Sequence, residues 1–246
     1  MNLSTYRRVK WDREDPPRLE PHLMNVGPLR VLALQQVEIT PTLRHVEIYT
    51  MTGLLTLLWH GPDDAQCCVL AGGGAMGGLL GPANGFYHWL GDELAAEGIA
   101  MMRVGYRRPN DLDACIGDMV AAGMLAERQG AEHFVTVGHS FGGAVAINVG
   151  LEPSPIGPNV RGVCTFATQS AGCEHAALLG GKPLLMFHGD KDEILPQFAS
   201  EVVHQIAGGT GELVILEGAG HILGENGAGQ VLRDRVPSWI RTVLKG

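Results

Sequence analysis

An α/β fold, with a mostly parallel sheet of about eight strands and helices on both faces, is predicted by three features of this sequence. From about residue 44 onward, short apolar runs alternate with stretches of helical periodicity. Each apolar run is bounded by Gly, Pro or charge, as strands buried on both faces usually are. The chain has 246 residues, 45% of them hydrophobic, which is enough for one sizeable core, whereas two domains would each be small.

The first element differs from the rest. "RHVEIYT" and "LLTLLWH" flank Met51, Thr52 and Gly53, a short link that predicts an antiparallel hairpin at one sheet edge. Buried strands follow at "CCVLAG", "GIAMMRV", "HFVTVG", "VRGVCTF", "KPLLMFHG" and "ELVILEG". Between them, "FYHWLGDELAAEG", "DLDACIGDMVAAGMLAERQG", "SFGGAVAINVG" and "PQFASEVVHQIAG" space their apolar residues as helices do. A last helix is expected near "AGQVLRDRVPSWIRTVL", kinked or divided by Pro237. Residues 167–181, between two of the strands, are too few for an inserted domain of about 50 residues, so any lid is small. Residues 1–28, rich in Pro and charge, are expected to form an N-terminal arm with little core, leaving 29–246 as a single domain without a large cap.

Composition excludes several function classes. A net charge of −8 with no block of Lys or Arg argues against general binding to nucleic acid or to an anionic membrane surface, which leaves small molecules as the expected partners. The N-terminus carries charge where a secretory signal needs an apolar core, and no apolar run approaches the roughly 18 residues of a membrane span. A cytoplasmic protein is the expectation. Cys67, Cys68, Cys115, Cys164 and Cys173 contain no C-x-x-C pair and are expected as buried small hydrophobes of a reducing compartment. The histidines at 22, 45, 60, 88, 133, 175 and 204 show no H-E-x-x-H or clustered spacing, so neither a metal nor any other cofactor is expected. The oligomeric state is left open.

The stretch "FVTVGHSFGGAVAINVG" carries the most chemistry. A β-type run ends in Gly138-His139-Ser140-Phe141-Gly142 and a small-residue helix follows, which places G-x-S-x-G in the strand-to-helix setting it requires. The sharp turn exposes the serine hydroxyl, and the helix N-terminus offers the N–H of Phe141 and a partial positive charge to a developing oxyanion. Farther on, "HGDKDEILP" ends one strand and "LEGAGHILGE" follows the next, so an acid and then a histidine come after the serine. Both Asp190 and Asp192 are candidate acids, with Asp190, beside Gly189, suited to a turn.

With "GHSFGG", "HGDKDEILP" and "GAGH" in this order, residues 44–243 resemble the α/β-hydrolase superfamily. The second segment is similar to the H-G-x-x-D-x-x-[VI]-P form of lidless esterases and dienelactone-hydrolase-like proteins, with Leu195 at the [VI] position. The resemblance implies a triad of Ser140 as nucleophile, Asp192 as acid and His221 as base. It also implies His188 and His139 as structural histidines. On this reading the chain is a serine hydrolase that cleaves a small to medium carboxylic ester through an acyl-enzyme. The same triad serves acyl transfer, perhydrolysis or carbon–carbon bond hydrolysis, and a non-catalytic binding protein on the same scaffold is a further alternative.

"VLAGGGAMGG" contains G-x-G-x-x-G at Gly72, Gly74 and Gly77, and two readings compete for it. A dinucleotide site needs a helix that starts within the glycines and an acid some 20 residues on. Here "GLLGPANG" prolongs the loop, Pro82 and Gly85 interrupt helix formation, and the next strand ends at Arg103-Val104-Gly105 without the acid. An oxyanion loop needs only a backbone that can turn N–H groups inward, which glycine permits, so the N–H of Gly73 or Gly74 is expected to pair with that of Phe141. His88 and Trp89 follow this loop and are expected either to line the substrate entrance or to lie in the core of the first helix.

Overall fold

The computed structural model describes residues 25–245. Ten strands form one sheet: β1 (Asn25–Val26), β2 (Leu29–Thr40), β3 (Leu43–Thr50), β4 (Gly53–His60), β5 (Cys67–Gly72), β6 (Ala100–Gly105), β7 (His133–His139), β8 (Val160–Phe166), β9 (Leu184–Gly189) and β10 (Glu212–Leu216). Their order across the sheet is β1-β2-β3-β4-β6-β5-β7-β8-β9-β10. From β6 to β10 all neighbours are parallel, while β1 to β4 run antiparallel and join through the β4–β6 pair.

The strand number exceeds the expected eight because β1 and β2 extend the antiparallel end. The predicted hairpin exists as β3 and β4, with Thr50 opposite Gly53 across the turn, but it does not form the edge. β2 covers its outer side, and its own outer half is exposed, with Val37 and Ile39 facing solvent. Of the expected N-terminal arm, residues 1–24 lie outside the described residues. Residues 25–28 form β1 and the turn into β2, with Val26 fully buried.

Five helices connect the strands: α1 (Pro82–Ala95), α2 (Leu112–Gln129), α3 (Phe141–Gly150), α4 (Phe198–Ile206) and α5 (Ala228–Lys245). Sequence explains their ends. Asp111 caps α2 by accepting a hydrogen bond from the Ala114 N–H at 3.1 Å, and Gly130 closes it in the left-handed conformation. α1 enters irregularly, with Ala83, Asn84 and Gly85 outside helical geometry, so the interruption expected at Pro82 and Gly85 is present. α5 is not divided at Pro237, which lies buried inside one continuous helix.

The two sheet faces carry two cores. Residues of α2, α3 and α4, such as Met119, Val145 and Val203, pack on one face with Leu70, Val104 and Phe134. Residues of α1 and α5, such as Phe86, Leu90 and Leu232, pack on the other with Val69, Val137, Phe166 and Phe187. This two-sided burial makes the runs of β5 to β9 continuously apolar instead of alternating. Cys68, Cys115, Cys164 and Cys173 are buried and all five cysteines are free. Among the described residues, no helix is long and apolar enough to cross a membrane.

The loop after β6 is fixed by a buried ion pair. Asp118 of α2, fully buried, accepts hydrogen bonds from the Arg107 backbone N–H at 2.8 Å and from the Arg107 side chain. This pair seats residues 106–109 behind the glycine loop, where Pro109 lies against Gly77 and Tyr106 against Gly72. Removing one partner strands the other as an uncompensated charge, so Asp118→Ala is expected to cost about 3–5 kcal/mol of stability. Urea denaturation of the variant against the parent measures it.

Candidate active site

Ser140 sits where β7 becomes α3, at φ 57° and ψ −119°, a conformation that costs a non-glycine residue energy and is held by its surroundings. Its N–H donates to the Phe166 carbonyl of β8 at 2.8 Å, and its carbonyl accepts from Gly143 at 3.0 Å. The glycines around it answer to close approach. A Cβ on Gly138 would run into the Gly142 carbonyl, and one on Gly142 would stand 2.6 Å from the Gly72 carbonyl oxygen. The first turn of α3 is therefore pressed against the end of β5. The Ser140 hydroxyl has no hydrogen-bond partner among the described residues, and solvent reaches it.

The acid and histidine come from the loops after β9 and β10. His221 Nδ1 lies 2.8 Å from Asp192 Oδ2, so the neutral ring donates from Nδ1 and keeps its lone pair on Nε2. The Asp192 carboxylate is buried and fully engaged. Its Oδ1 accepts from the N–H groups of Ile194 and Leu195, both at 2.8 Å, and its Oδ2 also lies 3.1 Å from His188 Nε2. Burial pushes this carboxyl up, but the Leu195 N–H, the His221 ring and the Ile194 N–H outweigh it and hold it below the ordinary carboxylate value. Asp190, the other acid considered, spends its carboxylate on the Gly218 N–H at 2.6 Å and so fixes a turn.

Two further histidines shape this arrangement. His188 is buried, with Nε2 donating to the Leu195 carbonyl at 3.0 Å and Nδ1 2.6 Å from the Ser200 hydroxyl, which donates to it. It thus braces both Asp192 and the loop that wraps it. His139 donates from Nε2 to the His221 carbonyl at 2.9 Å, and the two rings lie 4.9 Å apart. Burial pulls His139 down to about 4, so it is neutral at pH 7 and its remaining lone pair is on Nδ1.

The glycine loop lies beside the serine. It folds back on itself, with the Gly77 N–H donating to the Gly74 carbonyl at 2.9 Å. A Cβ on Gly74 would stand 3.7 Å from the Ser140 Cβ, and one on Gly73 would stand 2.8 Å from the Gly77 carbonyl oxygen. Phe141 is the first residue of α3, so its N–H has no acceptor within the helix. The loop is anchored at both ends by residues that carry no motif. Tyr87 donates its hydroxyl to the Gly72 carbonyl at 3.0 Å, and buried Arg103 donates to the Leu79 carbonyl at 3.2 Å. Regular helix starts only beyond Gly85, well past the glycines, so the geometry of a dinucleotide fingerprint is not formed.

The structure does not bring His88 or Trp89 to Ser140. His88 faces His60 and Asp92, with its ring 5.7 Å from that of His60. Trp89 stacks on Phe86 with the Arg233 guanidinium 5.1 Å above it. The turn at residues 83–85 sets the phase of α1, and that phase points Phe86 and Tyr87 at the sheet instead. Glu225 was also not marked by the sequence. Its carboxylate accepts from the N–H groups of Gly220 and Gly224 and so closes the loop that carries His221.

The lowered value of Asp192 has a consequence for stability. A carboxyl lower in the folded than in the unfolded chain contributes stability above its unfolded value, and that contribution is lost as pH falls through the folded one. Asp192→Asn is expected to melt below the parent at pH 7, and the gap is expected to narrow as pH falls below about 4. Melting curves of the two proteins between pH 7 and pH 3 check this.

No family model and no curated protein sequence matches the chain. Solved structures do. Est1E from Butyrivibrio proteoclasticus superposes with a TM-score of 0.65 at 14% identity, covering 82% of this chain and 99% of that one. Dienelactone hydrolase from Anabaena variabilis gives 0.63 at 17%, covering 85% and 98%. The Pyrococcus furiosus esterase Pf2001 gives 0.62 at 16%, covering 85% and 94%. At these identities the likeness concerns architecture, and with the strand order and the serine turn described above it establishes that the chain has the α/β-hydrolase fold.

Proposed function

We propose that this protein is a serine hydrolase acting on small to medium carboxylic esters, with Ser140, His221 and Asp192 as its triad. The observation that carries the reading is the Asp192–His221 pair, 2.8 Å apart, on loops that meet the strained turn at Ser140. The named esterase and dienelactone hydrolase share the fold, which agrees with the reading.

The chemistry follows from the protonation states. With Nδ1–H given to Asp192, His221 Nε2 is the base that takes the Ser140 proton as the oxygen attacks the ester carbonyl. The tetrahedral oxygen is held by the N–H of Phe141 and that of Gly74 or Gly73, each donor contributing roughly 2.7–4 kcal/mol to the transition state. The protonated His221 then passes its proton to the leaving alcohol. Water, activated by the same nitrogen, attacks the acyl-enzyme and releases the acid. His188 and the two backbone N–H groups hold the Asp192 carboxylate ionised and aimed throughout.

The rim of the site is apolar and without a helical cap. Met76 is 93% exposed, Ile194 69% and Leu80 63%, all on loops that bear proposed site residues or lie next to them. Between β8 and β9 the chain forms only a short 3-10 turn at Ala176–Leu179, with no helical lid. Such a site suits short acyl chains in free solution, with no barrier for an interface to lift.

Three predictions test the reading. Ser140→Ala is expected to lower kcat for p-nitrophenyl acetate by about 10⁴-fold or more with an unchanged circular dichroism spectrum. Asp192→Asn is expected to lower it by about 10⁴-fold, and Asp190→Asn by far less; the reverse ranking moves the acid to Asp190. Across p-nitrophenyl esters of rising chain length, kcat/KM is expected to peak at short or medium acyl groups, with no jump above the critical micelle concentration. Faster turnover of triglyceride emulsions than of soluble esters overturns the substrate assignment.

A further inference from the structure

We propose that His60, His88 and Asp92 form a binding site for one divalent first-row transition metal, with Zn²⁺ as the natural choice for this donor set. Their ligand atoms all lie within 4.8 Å of one another. His60 Nδ1 is 2.9 Å from Asp92 Oδ1, and His88 Nε2 is 3.6 Å from Asp92 Oδ2. Two imidazoles and a carboxylate match the borderline-soft preference of Zn²⁺, Co²⁺ or Ni²⁺, and three protein ligands leave a fourth position for water.

The sequence builds this cluster from two elements. His88 and Asp92 stand at i and i+4, on one face of α1. His60 is the last residue of β4 and lies fully buried under that face. The helix is cut to receive its ring, since a Cβ on Gly91 would stand only 2.6 Å from His60 Cγ. His88 and Asp92 are about half exposed, so an ion reaches the site from solvent without opening the core.

Binding changes the tautomer of His60. In the free protein its Nδ1–H points at Asp92, and its buried Nε2 has no partner. Moving the proton to Nε2 frees the Nδ1 lone pair for the metal, but it gives up the bond to Asp92 and leaves the buried Nε2–H without an acceptor, a cost that coordination offsets. Arg103 lies near enough to repel a cation, and the Asp92 carboxylate offsets it. An ion here ties β4 to α1, so it stabilises the folded chain by binding that state alone.

The cluster lies away from the serine. Thr56 pairs with Gly105 at the C-terminal end of β6, while His60 pairs with Met101 near its start. The four residue steps from Thr56 put His60 about 13 Å along the strand from the edge that carries Ser140. The proposal does not depend on the hydrolase reading, and its test reads metal binding alone.

The test uses the full chain without an affinity tag, stripped with EDTA and titrated with Zn²⁺ by calorimetry and with Co²⁺ by visible absorption. One site per chain, a four-coordinate Co²⁺ spectrum and a melting temperature raised by Zn²⁺ are expected. His88→Ala and Asp92→Asn, both at exposed positions, are each expected to weaken Zn²⁺ binding by roughly tenfold or more. His221→Ala is expected to bind as the parent does. Unchanged affinity in both His88→Ala and Asp92→Asn, loss of binding in His221→Ala, or the absence of saturable one-site binding overturns the proposal.

Discussion

The close approach of the first turn of α3 to the end of β5 is the constraint on which the rest of the site depends. The backbone at Gly142 passes so near the carbonyls of Gly72 and Gly73 that no side chain fits between them. That contact fixes the serine turn and the glycine loop to each other, so their relative placement is set by backbone packing and not by flexible side chains. The strain at Ser140 is held by the same packing together with the hydrogen bond from its N–H to β8. A loop that could relax away from α3 would relieve the strain and part the serine turn from the glycine loop.

The other half of the site is organised by one carboxylate. Asp192 gathers two backbone N–H groups on one oxygen and two imidazoles on the other. A buried carboxylate satisfied in this way stays ionised beside the His221 ring. His188 reaches from Asp192 to Ser200 of α4, which links the acid loop to the helix behind it. His139 links the serine turn to the His221 backbone from the opposite side. The loop that carries His221 is thus hydrogen-bonded to the serine turn on one side and to the acid loop on the other.

Legibility in the sequence followed burial and local motif. β5 to β9 could be read because both faces are covered, which makes them short unbroken apolar runs. β2 could not, because its outer half is exposed and its pairing with β3 shifts register between Val31 and Ala33 and between Glu38 and Thr40, which spoils a period of two. Ser140, Asp192 and His221 stood in recognisable segments. Tyr87, Arg103, Ser200 and Glu225 did not, since each acts through a carbonyl, an N–H or a ring that its own neighbours in the chain do not reveal. The placement of His88 turned on helix phase, which the irregular turn at residues 83–85 sets and which composition does not show.

The antiparallel strand β4 explains why two clusters of histidine and carboxylate can share one small sheet without interfering. Parallel strands send all their C-terminal loops to one edge, and there the loops after β5, β7, β9 and β10 meet around Ser140. β4 runs the other way, so its C-terminal residue, His60, arrives at the far edge, beneath the lower half of α1. α1 therefore serves both ends: Tyr87 near its start secures the glycine loop, and His88 and Asp92 farther along face His60. The histidines of the two ends are held neutral for different reasons. Depth sets His139 and outweighs the bond from its Nε2, which pulls the other way, whereas depth and the nearby Arg103 charge set His60. Strand direction, more than residue identity, decides which of these imidazoles stands beside the serine.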